Sequence, residues 1–465
     1  MTHQGSLLKG KVVSRFALVL ILLLGVVSVI FYLNSLSPKS TGDPSTKNVY
    51  SSVKSFGATY TVARTYTSRN SIIINNLWRP SVQLAGGGYN NCALSNGKVY
   101  CWGKGTNGQL GNNASINRIT PVAVYDGILN GQRMTNIAGG QNHMCAINSG
   151  LAACWGDNTY GQLGNNSTTT SFNTPQQVAV FGSLVTVSQI AAGARNGCAI
   201  ASNAARCWGD NSSGQVGDNT TTLRRSPVVV TASAGLLGSK SVTQVQVGGL
   251  FACALAQGGV YCWGNNAYGQ LGNNSTTSSS VPVRVTHTGA LLNKTVTNIA
   301  LGYDHACAIA DGQVFCWGRN NYSQLGNGPS NGTGGASSGT TNQLVAVAVS
   351  TSTGLSGKVV TNVLNGGYSH NCAVADGQAY CWGRNNLGQL GDSTTTNRAT
   401  PTLVNVAGVL SGKGVTQLIG GESYTCAVAN GRAYCWGDNS FGQLGINDTL
   451  PTSTPIPYRV NDSYY

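Results

Sequence analysis

Fourteen cysteines are the residues of this chain whose type and spacing could do chemistry, either by forming disulfides or by holding a metal. They fall in pairs nine residues apart: Cys92–Cys101, Cys145–Cys154, Cys198–Cys207, Cys253–Cys262, Cys307–Cys316, Cys372–Cys381 and Cys426–Cys435. Midway between the partners stand Asn96-Gly97, Ser149-Gly150, Ser202-Asn203, Gln257-Gly258, Asp311-Gly312, Asp376-Gly377 and Asn430-Gly431. Glycine and asparagine tolerate the positive φ that a two-residue hairpin turn demands. Pairing outward from Asn96-Gly97 sets Ser95 against Lys98, Leu94 against Val99, Ala93 against Tyr100 and Cys92 against Cys101. Alternation makes the last a non-hydrogen-bonded pair with Cα atoms roughly 4.5 Å apart, a separation that a disulfide accepts. The chain has no C-x-x-C knuckle of the kind zinc sites use. The spacing therefore predicts seven cross-strand disulfides, no free thiol and no metal ligand.

Such bridges form in an oxidising compartment. Residues 16–33 (FALVLILLLGVVSVIFYL) are an uncharged apolar run near the lower length limit for spanning a bilayer. Lys9, Lys11 and Arg15 precede it, so residues 1–15 are expected in the cytoplasm and everything after the span outside. A cleaved signal peptide, which would leave the protein secreted, has a shorter apolar core ending at small residues. This run continues instead into NSLSPKS, which favours a retained single-pass anchor in the cell membrane. Residues 34–82 read as a polar stalk, with TYTVARTYT and SIIINNLW as short strands within it. The net charge of +14 is unevenly spread: residues 1–82 hold nine Lys/Arg and one acidic residue, residues 83–465 eighteen and twelve. With no long basic run beyond the stalk, nucleic acid is not an expected partner.

Stepping from cysteines to the elements that carry them, Trp-Gly recurs at 102, 155, 208, 263, 317, 382 and 436, the one long interval being filled by the insert 327–343. Self-similarity at this period signals a repeat architecture. One repeat shows four strand-like pieces, Pro121–Val124, Thr135–Ala138, His143–Ile147 and Ala152–Trp155. Four strands in each of seven units describe an all-β fold, a monomeric seven-bladed β-propeller of four-stranded antiparallel blades over 83–465. The first repeat lacks a leading P-x-x-V piece, and TPIPYRV (454–460) offers one at the far end. Ile456–Val460 are therefore expected to join the blade of Cys92 and Cys101 and so close the ring.

Candidate site residues are few. His143, His305 and His370 share a repeat position with Asn90, Asn196, Phe251 and Tyr424, an interchange that fits packing better than catalysis or metal binding. Arg118, Arg224 and Arg398 each stand three residues before a proline and suit a blade junction. Arg224 and its extra neighbour Arg225 are the candidate ligand-binding pair, Arg225 being the better placed for exposure. Gly-Gln-Leu-Gly, as at 108–111, reads as fold chemistry: turn glycines, a leucine that fills an inter-blade gap, a glutamine that bonds main chain. Gly103–Gly108 matches G-x-G-x-x-G without any βαβ context. G-x-x-x-x-G-K-[ST] and H-E-x-x-H are absent and Glu422 is the only glutamate, so neither a catalytic set nor a cofactor is expected. The loops 112–117, 165–173, 218–225 and 327–343 vary and are polar, which suits ligand binding on a rigid frame.

The run GGYSHNCAVADGQAYCWGRNNLGQLG at 366–391, with close copies throughout 83–460, resembles the regulator of chromosome condensation repeat. The resemblance implies a seven-bladed propeller and a diverse set of functions, nucleotide exchange on a small GTPase among them. The leading expectation is a non-enzymatic cell-surface platform that binds a protein or an envelope glycan. An extracytoplasmic enzyme would need convergent carboxylates at the propeller mouth, and an exchange factor would follow from the family alone. Each bridge closes a ten-residue loop and adds roughly 2–3 kcal/mol in the chain-entropy model. Reductant should therefore lower the melting temperature substantially, and an unchanged melting curve would refute the bridges.

Overall fold

The computed structural model describes residues 46–55, 58–67, 72–73 and 82–461, apart from 130, 180–184, 232–236, 238–239, 329–340 and 364–366. The expected span 16–33 and most of the insert 327–343 lie outside the described residues. Thr46–Ser55, Ala58–Thr67 and Ile72–Ile73 form a three-stranded sheet that takes in TYTVARTYT.

The propeller builds from its hairpins. Both turn residues have positive φ in every one, for example Asn96 at 52° and Gly97 at 79°, or Ser202 at 51° and Asn203 at 62°. The pairing in the first blade is Ser95 with Lys98, Leu94 with Val99, Ala93 with Tyr100 and Cys92 with Cys101, as the turn dictates. All seven cysteine pairs are bonded, with Cα atoms 4.0 to 4.1 Å apart, and no cysteine is free. Strands flanking each hairpin complete a four-stranded antiparallel sheet. In the first blade the order is Gln83–Gly86, Asn90–Ser95, Lys98–Gly103 and Arg118–Ala123. Seven such sheets follow one another.

The closure differs from the sequence expectation. Ser453–Arg459, the strand holding TPIPYR, pairs with the third strand of its own blade, Cys435 facing Tyr458. The P-x-x-V segment is therefore the outermost strand of the blade it follows, as Cys101 facing Val122 shows at the other end. Local geometry decides this. The ladder shifts register at the tryptophan between Cys101 and Gly103, and the G-Q-L-G turn then brings the chain back along the same edge, so the nearest partner is the strand just completed. The first repeat lacks nothing, because Gln83–Gly86 is its innermost strand.

The ring is closed by the joint that binds every other pair of blades. Trp155, Trp208, Trp263, Trp317, Trp382 and Trp436 each donate their indole N–H to the carbonyl of the preceding blade's G-Q-L-G glutamine, at 2.8 to 3.1 Å. Trp102 of the first blade does the same to Gln443 of the last, at 2.9 Å. All seven tryptophans are fully buried. The core at that seam mixes the two blades, Leu84, Ala93 and Trp102 against Ile419, Cys435 and Leu444. Around the axis, backbone bonds run from blade to blade: Gly88 N–H to Gln141, Gln141 N–H to Gly193, Ala194 N–H to Gly248, Gly249 N–H to Tyr303, Tyr368 N–H to Gly421 and Glu422 N–H back to Gly88. Every core cluster consists of residues between 82 and 460. Among the described residues the blades thus bury their cores against one another.

Glycine at the end of G-Q-L-G is required by the joint itself. A Cβ on Gly445, at φ +67°, would sit 2.7 Å from the Trp102 indole nitrogen, whereas one on Gly131, at φ +69°, would meet nothing within 4 Å. Gly445→Ala should cost about 3 kcal/mol or more and Gly131→Ala about 1 kcal/mol, since only backbone strain acts at the second site. Equal losses in denaturant titrations would contradict the joint.

Candidate functional site

Strand direction gives the ring two faces. The connections from first to second strand and from third to fourth emerge on one, the loop face; the cysteine hairpins and the links between blades emerge on the other, the hairpin face. The innermost strands line an axial channel and repeat V-T-[Q/N] in four blades, with Met134-Thr-Asn and Val187-Ser-Gln as variants. Each blade contributes at least one carboxamide there, among them Gln189, Gln244, Asn298 and Gln417. The longer side chains staple neighbouring blades. Gln417 accepts from the Leu84 N–H and donates to its carbonyl, both at 2.9 Å, and Gln244 does the same to Ile299. No carboxylate lines the channel among the described residues, so the convergent acids an enzyme would need are not assembled in it.

At the loop-face end the channel narrows between glycines and meets Tyr303 and Tyr368, whose ring centroids are 4.5 Å apart. These tyrosines occupy one repeat position, which is Gly88, Gln141, Ala194, Gly249 and Glu422 in the other blades. Nearby, the Tyr89 hydroxyl bonds the Glu422 carboxylate, and burial together with that acid pushes the phenol well above its ordinary pKa. Tyr89 also packs on Phe441 at 5.1 Å, with the Lys104 ammonium 5.6 and 5.5 Å from the two rings. Further round, guanidinium groups lie over tyrosines: Arg195 over Tyr160 at 4.5 Å, Arg319 over Tyr268 at 4.7 Å and Arg384 over Tyr322 at 5.0 Å. Arg319 also pairs with Asp304 at 3.1 Å; burial pushes that carboxyl up while Arg319 opposes the shift. Stacked cations and phenols held by a rigid ring make a recognition surface.

The residues singled out from sequence sit elsewhere. Arg224 bonds Asp218 of its own loop at 2.6 Å, as Arg398 bonds Asp392. Burial pushes the Asp218 carboxyl up, but Thr220 and Arg224 hold it below its ordinary value. Arg225 is half-buried and reaches across to the Ser167 carbonyl of the preceding blade at 3.4 Å. Neither arginine belongs to the channel mouth. The mouth residues escaped sequence reading because they occupy the variable position of the G-G-x-x-H segment; that variability within an otherwise repeated run was the available signal.

His143, His305 and His370 are fully buried, each on a different blade. His370 bonds the Thr425 hydroxyl of the next blade at 2.9 Å, Asn371 of the next blade lies against His305, and neither ring nitrogen of His143 has a hydrogen-bond partner. Burial lowers their pKa values to about 4 for His143 and His305 and about 3 for His370. Folded values below the unfolded one mean that the unfolded chain binds more protons. Their contribution is therefore complete above about pH 6.5 and is lost as the pH falls towards 4, at about 1.4 kcal/mol per histidine per pH unit. His143→Asn, which installs the residue found at Asn90 and Asn196, should flatten the melting-temperature profile between pH 6.5 and 4. An unaltered slope would rule out this burial as a source of acid sensitivity.

Residues 154–463 match the family model of the RCC1-like domain, and residues 96–147 that of the regulator of chromosome condensation (RCC1) repeat. The chain is 28% identical over 380 residues to the ultraviolet-B receptor UVR8 of Arabidopsis thaliana, covering 80% of each. It is 27% identical over 384 residues to the human E3 ubiquitin-protein ligase HERC2, covering 81% of this chain but 7% of that protein. Among solved structures, human WBSCR16 superposes with a TM-score of 0.66 at 22% identity, covering 78% of this chain and 94% of that one. Prp20p of Saccharomyces cerevisiae, studied for its binding to Gsp1p and histones, gives 0.63 at 21%, covering 75% and 82%. Both structural likenesses are of fold. With more than half of its length matched by the RCC1-like domain and seven such repeats closed into a ring, the chain belongs to the RCC1-like domain family.

Proposed function

We propose that this protein is a non-enzymatic binding platform whose loop face recognises a protein partner outside the cytoplasm. The observation that carries the reading is the cluster at the channel mouth. There, one repeat position breaks from the common pattern to supply Tyr303, Tyr368 and Glu422, and aromatic rings and stacked cations gather around it. Aromatic and arginine anchors on a rigid frame are the residues that dominate protein interfaces. The similarity of fold to Prp20p, which was studied for its binding to Gsp1p and histones, supports a protein as the partner. A disulfide in every blade supports an oxidising, extracytoplasmic setting, with residues 16–33 as the anchor. On this reading the outer rim, with Arg224 and Arg225, frames the contact, and an envelope glycan is the alternative occupant.

The test is capture from solubilised cell envelopes without reductant, followed by affinity measurement on the partner identified. A Tyr303→Ala/Tyr368→Ala variant should weaken binding by about tenfold or more, with the melting temperature used to confirm an intact ring. Undiminished affinity would remove the channel mouth from the interface. Accelerated nucleotide release from a captured GTPase would move the assignment to exchange.

A further inference from the structure

The two faces of the ring differ in charge. Among the described residues the loop face carries eight Lys/Arg and eight Asp/Glu, whereas the hairpin face carries ten and three. The propeller's surplus of positive charge thus lies on one side. Part of it is ordered by the repeat: Lys240, Lys294, Lys358 and Lys413 stand two residues before the innermost strand of four successive blades. Each ammonium is held 5.6 to 6.0 Å from an aromatic ring of the blade next in sequence. Two of the four also touch a hairpin aspartate, Lys294 to Asp311 and Lys358 to Asp376.

A second, independent feature shares these loops. Exposed large apolar side chains gather on the hairpin face, at the crests of the links between blades: Ile128 is 52% exposed, Leu292 57%, Val359 62% and Val409 38%. Scattered surface hydrophobes need no explanation. One exposed aliphatic tip in each of four links, at differing positions along the link but three of them within four residues of an arc lysine, does. The other two links fall partly outside the described residues.

We propose that the hairpin face seats on an anionic lipid bilayer, with the aliphatic crests entering the interfacial region and the lysine arc meeting headgroup phosphates. Basic residues beside exposed aliphatic ones suit an interface that is apolar below and negatively charged above. A protein partner fits less well, since protein interfaces are depleted in lysine and rich in aromatic residues. A soluble polyanion would use the charge and leave the aliphatic tips in water. Topology agrees: the chain enters the ring on this face at residue 82 and leaves on it at 461. The ring alone carries the proposal, whether or not residues 16–33 span a membrane, and the loop face is left free for a partner.

The experiment uses the chain from residue 46, which keeps every described residue, disulfide and closing contact. It is co-sedimented with phosphatidylcholine vesicles with and without phosphatidylglycerol. Binding to the anionic vesicles should be about tenfold stronger or more and should weaken with salt. Replacing Ile128, Leu292, Val359 and Val409 together by serine should lose about tenfold of it at an unchanged melting temperature. Lys240→Gln with Lys413→Gln should weaken binding and flatten its salt dependence. Equal binding to both vesicles, or none, overturns the proposal. So does a serine variant that binds as well as wild type while inorganic polyphosphate displaces both, a result that would assign the face to soluble polyanions.

Discussion

A buried indole N–H held by a glutamine carbonyl on the preceding blade is the contact on which the rest of this molecule depends. It recurs at all seven boundaries with nearly the same length. Its surroundings leave little freedom. The glycine two residues after each such glutamine lies against the indole ring, and the leucine or valine between them is fully buried. The glutamine side chain turns back to accept a backbone N–H two residues earlier, as Gln443 does from Phe441. A buried donor left without its acceptor would cost on the order of 1–3 kcal/mol, and a tryptophan moved off its glycine would lose packing as well. The disulfides act on a smaller scale, tying two strands that already face each other. The indole joints make seven separate sheets into one body.

How much of this the sequence disclosed depends on the range of the interaction. Hairpin, register and bridge followed from Asn96-Gly97 and its copies because a two-residue turn fixes its own neighbours. The number of blades followed from counting Trp-Gly. The phase of the repeat did not, since a periodic string has no marked beginning, and the P-x-x-V segment can be written as the first strand of one unit or the last of another. Only the ladder between Cys435 and Tyr458 decides it. The carboxamide staples were hidden for a related reason. Gln417 reads as an ordinary polar residue of a strand until Leu84, more than three hundred positions earlier, is placed beside it. Tyr303, Tyr368 and Glu422 stood in plain sight as exceptions at a repeated position, yet nothing local showed that the exceptions converge on the axis.

The division of labour between the faces follows from the same construction. Joint residues occupy the third strand and the turn after it, and the carboxamides occupy the first strand, which leaves both sets of connections free to vary. On the loop face the variation yields phenols, stacked guanidiniums and balanced charge. On the hairpin face it yields lysines and aliphatic tips. Neither set belongs to the joint, whose hydrogen bonds are made by the indoles and by the repeat's fixed glutamines.

The central claim is that the seam between the last blade and the first is no weaker than the other six. Hydrogen exchange of the seven indole N–H protons, followed by NMR on the native oxidised ring, tests it directly. If the ring is closed by a joint like the others, the Trp102 proton exchanges with those of Trp155 through Trp436, all through global unfolding. A Trp102 proton that exchanges orders of magnitude faster than the rest would show that the ring opens at residues 102 and 443 under native conditions, and the account would fail.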